Sequence, residues 1–563
     1  MTQAGVFDKE TFPVSARLRT ILFLILFVAA FFSRLYLLYT TQHYLDGDEA
    51  LVGMMAVNIL EKGEHPLFWY GLHYNGGGSW EAHLGAVMMK VFGFYDIGLK
   101  YTAILISLLL LFFLYRWGRE NFGDAAALAA VFLYVFSVSF AAWNLKLRGH
   151  LTGILCLALL LWIYYRFLFG GKNNWRWALG AGLAAGLSYW CLEATVILTL
   201  VFLLFWFYQD RKILRSGNFW LFMSAFVIGL IPIIYENLRY NFANLKHLLL
   251  RAPGLDERSV LDKIILTFSH DLPSLFHTDI VHNYPESIAW WGWAGFLMVT
   301  AAVFYFICRL AKPMLSWIAG FFRRPGAHQV WQEKNKYLFL LVYLLCYQWV
   351  FSFSGFAEAS PRYMLPAMPV IFIICALAFI QIFHKGKVWL KSISVLLMLL
   401  WAVIGVKENI ALAHSYKMID GYQVTDSRDL TRLVAYMMEN KITAVYANKF
   451  IQSRVMFYSQ GAIAVSRFIN REGMVMGNPG ISFFPEAERS VAQTHNPAYI
   501  FHHNTEIDSL FKEYLKVNSW EYSLWENPSY NLYGNFSGIF TSGDFMAYLK
   551  EKRIFSLELW NQL

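Results

Sequence analysis

Between residues 20 and 406 long apolar runs alternate with short polar breaks, and beyond that the pattern changes to short alternating segments. A helix that crosses a bilayer needs roughly 20 apolar residues. Such runs lie at 20–40, 98–116, 124–143, 150–169, 217–238, 288–308, 337–355, 363–383 and 388–406. The run 175–208 is too long for one crossing, since at about 1.5 Å per residue it would reach about 50 Å against a hydrocarbon core of about 30 Å. Basic residues flank it (Arg176; Arg211 and Lys212). The pattern therefore predicts a hairpin of two short spans with Glu193 near its turn, and about eleven crossings in all. Two connections are long, 41–97 and 239–287, and loops of that length carry function or helices of their own. The first holds two amphipathic stretches, 49–62 and 80–93, interrupted by Tyr74, Asn75, Gly76, Gly77, Gly78 and Ser79. These read as helices lying on the membrane surface.

From about residue 410 the pattern predicts a helix at Asp429 to Asn440, a strand at Thr443 to Ala447, a helix at Ile451 to Ser459, a strand at Ala462 to Val465, a buried strand at Ala498 to Phe501 and a helix at Glu506 to Lys516. This alternation suggests a small α/β domain, and it contains no Gly-rich phosphate loop. The expected class is an α-helical polytopic membrane protein with a C-terminal extracytoplasmic α/β domain. Its parts are a cytoplasmic N-terminal tail (1–19), a transmembrane domain (20–406) and a soluble domain (407–563).

Composition removes the soluble alternative: 57% of the residues are apolar and mean hydropathy is +0.42, so much of the chain needs lipid as its solvent. The formal charge of +9 is not a nucleic-acid footprint. From residue 407 onward 15 Lys plus Arg stand against 16 Asp plus Glu, leaving 32 against 22 in the hydrophobic part. The excess belongs to the membrane region, where loop charge sets orientation. On alternating sides the basic residues divide 20 to 12 in favour of the N-terminal side, and the acidic residues 6 to 16. The N-terminus is expected in the cytoplasm and the C-terminal domain outside. All five cysteines (Cys156, Cys191, Cys308, Cys346, Cys375) lie in hydrophobic segments, so no disulfide framework or thiolate zinc site is implied. The first apolar run follows a polar stretch without an obvious cleavage site and reads as a retained helix.

Candidate chemistry gathers on the outer side. Asp46, Gly47, Asp48 and Glu49 follow the first span directly, and three carboxylates within four residues at a membrane surface repel one another. Two readings weigh about equally. Asp48 caps a helix beginning at Glu49, or a carboxylate here takes the proton from an acceptor while its neighbours position that acceptor or hold a divalent cation. Glu81, Lys146, Arg148, His150, Glu193, Glu358 and Arg362 fall on the same side, and Arg34 lies in the outer half of the first span. Singly, each is explained by snorkelling or by an interface hydrogen bond; together they outline a site. Arg362 sits in Ser360-Pro361-Arg362-Tyr363-Met364-Leu365-Pro366-Ala367-Met368-Pro369. The prolines remove backbone donors and bend the helix entry, and the guanidinium offers a planar fork suited to phosphate.

These residues resemble the GT-C fold glycosyltransferases, in particular the bacterial branch similar to protein O-mannosyltransferases and lipid A aminoarabinose transferases. The resemblance rests on Asp48 and Glu49 after span one, on Tyr74 to Ala82 with its core Gly78-Ser79-Trp80-Glu81-Ala82, and on Arg362-Tyr363 followed by Leu365-Pro366 at a late span. It implies an inverting transfer of a hexosyl or pentosyl group from a polyprenyl-phosphate donor to a glycan, lipid or protein acceptor outside the cytoplasm. Asp48 would be the catalytic carboxylate, Glu49 its companion and Arg362 a contact of the donor phosphate. Asp46, Glu81, Arg148, His150, Tyr363, Arg34 and Glu193 complete the candidate binding set. Asp48 and Glu49 leave room for Mg²⁺ or Mn²⁺, although no ligand spacing requires it. One departure stands out. The aminoarabinose transferases carry Glu-Lys-Pro in the first loop, where this chain has Glu81-Ala82-His83. The physics agrees with the resemblance, because an outward-facing enzyme has no cytoplasmic nucleotide sugars and needs its sugar delivered on a membrane lipid. The rival readings are a lipid or glycan flippase, which would favour a midplane site and inverted repeats, and a non-catalytic envelope-assembly scaffold.

Overall fold

The computed structural model describes residues 15–93, 95–137, 143–246, 259–276, 290–322, 334–353, 361–415, 418–420, 423–468, 483–538 and 541–552. Glu358 lies outside them. Among the described residues seven helices are long and apolar enough to cross a bilayer, or eight with a bent pair. The helices of the membrane part are α1 (Ala16–Thr40), α2 (Gly47–Lys62), α3 (Gly76–Phe92), α4 (Tyr95–Phe122), α5 (Asp124–Val135), α6 (His150–Phe169), α7 (Trp175–Cys191), α8 (Thr195–Gln209), α9 (Gly217–Gly229), α10 (Ile231–Arg239), α11 (Trp290–Phe322), α12 (Lys334–Phe353), α13 (Met368–Lys385) and α14 (Val388–Ser415). Each predicted crossing carries a helix, but among the described residues α5, α7 and α8 are shorter than a full span, so seven or eight of the eleven expected crossings have a helix of spanning length. The run 175–208 breaks at Leu192, whose extended backbone (φ −154°, ψ 113°) ends α7 and turns the chain into α8. The α9–α10 pair bends by 52° beside Pro232, which lacks the N–H that would continue the ladder. Before α13 the chain forms a 3-10 turn, Pro361–Ala367, as the clustered prolines require.

α13 is the innermost helix, with 89% of its apolar window buried, whereas α14 buries 11% and α1 22% and face lipid. The two helices of the connection 41–97 depart from their prediction. α2 buries eleven of its sixteen residues, so it is enclosed rather than floating on the membrane. α3 starts at Gly76, so the glycines expected to interrupt the helix are its first turn.

After α14 comes a short antiparallel pair, β1 (Met418–Asp420) and β2 (Gln423–Thr425), then α15 (Ser427–Glu439), β3 (Ala444–Ala447), α16 (Lys449–Tyr458), β4 (Ala464–Arg467), α17 (Pro485–Gln493), β5 (Ala498–His502), α18 (Glu506–Val517), β6 (Ser523–Glu526), β7 (Tyr530–Gly534) and α19 (Ser542–Glu551). The five-stranded sheet has the order β4-β3-β5-β7-β6; β4, β3 and β5 run parallel, and β7 and β6 add an antiparallel edge. Side chains alternate between faces with period two. Ala444, Tyr446, Tyr499, Phe501 and Tyr533 bury against α18 and α19. Val445, Ala447, Ile500 and Leu532 belong to a core continuous with the membrane helices, reached through Ile451, Val455 and Phe457 of α16.

Candidate active site

The first turn of α2 assigns three neighbouring carboxylates three different positions. Asp46 has extended backbone (φ −78°, ψ 175°) and caps the helix: its carboxylate accepts from the Glu49 N–H at 3.0 Å, and Glu49 Oε2 accepts from the Asp46 N–H at 3.2 Å. The cap expected at Asp48 is therefore Asp46, because the helix begins at Gly47. Relieved of capping, Asp48 keeps 41% of its side chain exposed and faces Arg148 Nη1 at 3.5 Å. Glu49 points inward and is fully buried.

Cations meet these groups from two other elements. Lys100, in the second turn of α4, donates to Glu49 Oε1 at 2.6 Å and to the Leu145 carbonyl at 2.9 Å. The segment 143–149 passes beneath α2, where Lys146 Nζ reaches Asp46 Oδ2 at 3.3 Å and Arg148 donates to the same oxygen. The Leu147 N–H adds a third donor to Glu49 at 3.3 Å. Three carboxylates thus stand among three cations. Burial alone would raise the Asp46 carboxyl, but Arg148 and Lys146 hold it well below the usual carboxylate range. Burial pushes Glu49 up, against the direct contact of Lys100. For Arg148 the charges of Asp46 and Asp48 outweigh burial and raise it further; burial and the Arg148 charge together lower Lys146.

Glu81 and Glu193 secure this segment rather than joining the ionised cluster. Glu81, fully buried in the second turn of α3, accepts from the Gly149 N–H at 2.7 Å, the Thr152 N–H at 3.3 Å and the Thr152 hydroxyl at 3.0 Å. Burial outweighs these donors and pushes its carboxyl up to about 8. Asn75, left-handed at φ 63°, precedes α3 without capping it through its side chain; it donates its side-chain amide to the Arg148 carbonyl at 3.0 Å and its backbone N–H to Glu193 Oε1 at 3.5 Å. A Cβ at Gly77 would stand 2.5 Å from the Gly149 carbonyl oxygen and 2.8 Å from that of Cys191, so only glycine lets α3 approach this closely.

Trp143 links the carboxylate cluster to the proline-rich entry of α13. Its ring lies under Lys146 (5.5 Å) and Arg148 (5.6 Å) and meets His150, the first residue of α6, edge-on at 6.4 Å. His150 in turn meets Tyr363 edge-on at 5.5 Å, and the Arg362 guanidinium lies 5.1 Å from the Tyr363 ring centre. Arg148, His150, Arg362 and Tyr363 therefore form one contiguous patch with Asp46, Asp48 and Glu49. Arg34 is placed elsewhere: fully buried within α1, it bonds the Ala30 carbonyl and Ser33 hydroxyl and lies over Tyr134.

Among the described residues no three His, Cys, Asp or Glu side chains converge as a metal site. The donor chemistry agrees, since Glu49 is turned inward onto Lys100 and Asp46 carries Lys146 and Arg148, so Asp48 and Glu49 do not share an oxygen cage. Lys100, Trp143 and Thr152 were not singled out from sequence. For Lys100 the available signal was a lysine in the second turn of an apolar helix, which reads equally well as a snorkelling anchor.

With this geometry in view, the comparisons with known proteins are informative. The family model for dolichyl-phosphate-mannose-protein mannosyltransferase matches residues 81–235. No curated protein sequence matches the chain. Among solved structures, ArnT from Cupriavidus metallidurans bound to undecaprenyl phosphate superposes with a TM-score of 0.60 at 12% identity, covering 93% of this chain and 99% of that one. Its apo form gives 0.57 at 12% identity, with 91% and 97% covered. The apo oligosaccharyltransferase of Archaeoglobus fulgidus gives 0.51 at 14% identity, with 87% and 70% covered. The chain has the GT-C fold, as the sequence resemblance implied.

Proposed function

From that fold we propose that the chain is a glycosyltransferase that moves a sugar from a polyprenyl-phosphate donor to an acceptor at the membrane face carrying α2, with Asp48 as general base. Asp48 carries the reading. It alone of the three clustered carboxylates keeps an exposed face, because Asp46 is spent on the cap and on Lys146 and Arg148, and Glu49 on Lys100. The basic-residue tally supports this face lying outside the cytoplasm, with the N-terminus inside.

In the proposed reaction an acceptor hydroxyl gives its proton to Asp48 as its oxygen bonds to the anomeric carbon. The bond from that carbon to the phosphate oxygen breaks, and its electron pair stays on the phosphate. A single displacement inverts the anomeric centre. Arg148 and Arg362, joined through Trp143, His150 and Tyr363, supply cationic charge beside the departing phosphate, and such fixed charge stabilises the transition state without reorganising. Glu49 with Lys100 holds the turn that aims Asp48, and Glu81, Asn75 and Glu193 hold the segment that carries Arg148.

The test uses purified protein in proteoliposomes with a panel of labelled polyprenyl-phosphate sugars and an envelope extract as acceptor source. Asp48→Asn is expected to lower transfer about 10²- to 10⁴-fold, the range of a lost general base. A correctly inserted Asp48→Asn protein that transfers at the normal rate overturns the assignment.

A further inference from the structure

The helix that carries Asp48 is gripped on its outer side by the C-terminal domain. α16 crosses α2 through two glycine notches. A Cβ at Gly47 would stand 2.9 Å from the Phe450 Cα, and one at Gly53 would stand 2.6 Å from the Phe457 ring, so any other residue would lift α16 off α2. Between the notches Arg454 is fully buried, with its guanidinium carbon 4.6 Å from the centre of the Tyr44 ring and Nη1 3.1 Å from the Tyr530 hydroxyl on β7. Tyr44 is buried and lies two residues before the cap Asp46. Tyr70, which bonds Asn58 of α2, meets Phe484 at the start of α17 edge-on at 6.2 Å, so the far end of α2 is held as well.

A fully buried guanidinium is expensive unless its charge is compensated, and a desolvated cation over a ring face gains more than one in water. Placing that interaction at the entry to α2 fixes the segment Tyr44 to Asp46 against the sheet. The membrane-side contacts of Lys100, Lys146 and Arg148 fix the same turn from below. We propose that Arg454, through Tyr44, is a positioning residue for transfer, and that the docked C-terminal domain sets the direction of Asp48. This rests on the transferase reading above. The sheet region is then part of the catalytic machinery rather than an appended module.

The experiment compares four full-length variants in proteoliposomes, Arg454→Ala, Arg454→Lys, Tyr44→Leu and Tyr44→Phe, by steady-state transfer and by amide hydrogen exchange over residues 47–58. Arg454→Ala and Tyr44→Leu are expected to lower kcat about 10- to 100-fold, as for a misplacement of about 1 Å, with the donor KM held within about twofold. Exchange in α2 rises in both. Tyr44→Phe keeps the ring face and is expected to retain most of the turnover that Tyr44→Leu loses, and Arg454→Lys recovers part of the loss. Wild-type kcat in folded Arg454→Ala overturns the inference. Should that variant fail to fold, equal behaviour of Tyr44→Leu and Tyr44→Phe overturns it instead. A wild-type protein inactive with every polyprenyl-phosphate sugar sinks the transferase reading, while the exchange data still report whether Arg454 orders α2.

Discussion

Two fully buried glutamates grip the same strip of chain, and they do so in opposite electrostatic regimes. Glu49 takes the Leu147 N–H and stands against the Lys100 ammonium at 2.6 Å; Glu81 takes the Gly149 and Thr152 N–H groups and the Thr152 hydroxyl, with no cation in its bonding set. The segment between them carries Lys146 and Arg148. A buried ion pair fixes geometry through strong, directional charge and collapses if one member is lost. A carboxyl bonded only to neutral donors at a helix start tolerates protonation, and burial pushes Glu81 to about 8. Charge is thus concentrated on the α2 side, where a proton has to move, and kept low on the α3 side, which serves as a brace.

Breaking the charged half should have the largest effect on stability. Lys100→Met leaves Glu49 buried without its ammonium and is expected to cost about 3–5 kcal/mol. Adding Glu49→Gln to it should recover much of that loss, since the uncompensated charge is then gone. Thermal unfolding in detergent reads both, and a Lys100→Met protein as stable as wild type would show that the pair is dispensable.

The brace should reveal itself through pH. The folded carboxyl of Glu81 at about 8 lies above its unfolded value of about 4.3, so between those limits the native state holds the proton more tightly. The contribution is complete below about pH 4 and is lost as pH rises through 8, on the order of a few kcal/mol across the window. Wild-type protein should lose more stability from pH 5 to 8 than Glu81→Gln, whose amide cannot titrate. Parallel melting curves for the two proteins over that range would place the titration elsewhere.

Much of this was legible in sequence, for identifiable reasons. The crossings follow from length and hydropathy, and the break in 175–208 follows from length alone. The strands β3 and β5 are apolar runs bounded by helical periodicity and stand within a residue of where that pattern predicted, while β4 begins two residues later than expected. The β6–β7 hairpin escaped because β6 is an exposed edge strand whose residues do not alternate cleanly, and its turn depends on the Asn527 side chain accepting the Ser529 and Tyr530 N–H groups. At the site, the cluster Asp46 to Glu49 could be found from its charge density. Its division of labour could not, because whether Asp46 or Asp48 caps depends on a one-residue shift in the helix start. Lys100 and Arg454 were invisible for a common reason: each acquires its role from a partner, 51 residues away for Lys100 and across the domain junction for Arg454.

The smallest expected effect is also the sharpest. Asp48→Asn changes one atom at a side chain that is 41% exposed and whose cationic neighbour is 3.5 Å away, already engaged with Asp46. Ion pairs of that exposure contribute about 0–1 kcal/mol, and the change should leave stability within about 0.5 kcal/mol of wild type. A residue that shapes the fold cannot be neutral to stability and indispensable to turnover at once, whereas a general base can. If Asp48→Asn melts several degrees below wild type, Asp48 belongs with Asp46 and Glu49 as scaffolding, and the group that takes the proton must be sought along the His150 side of the patch.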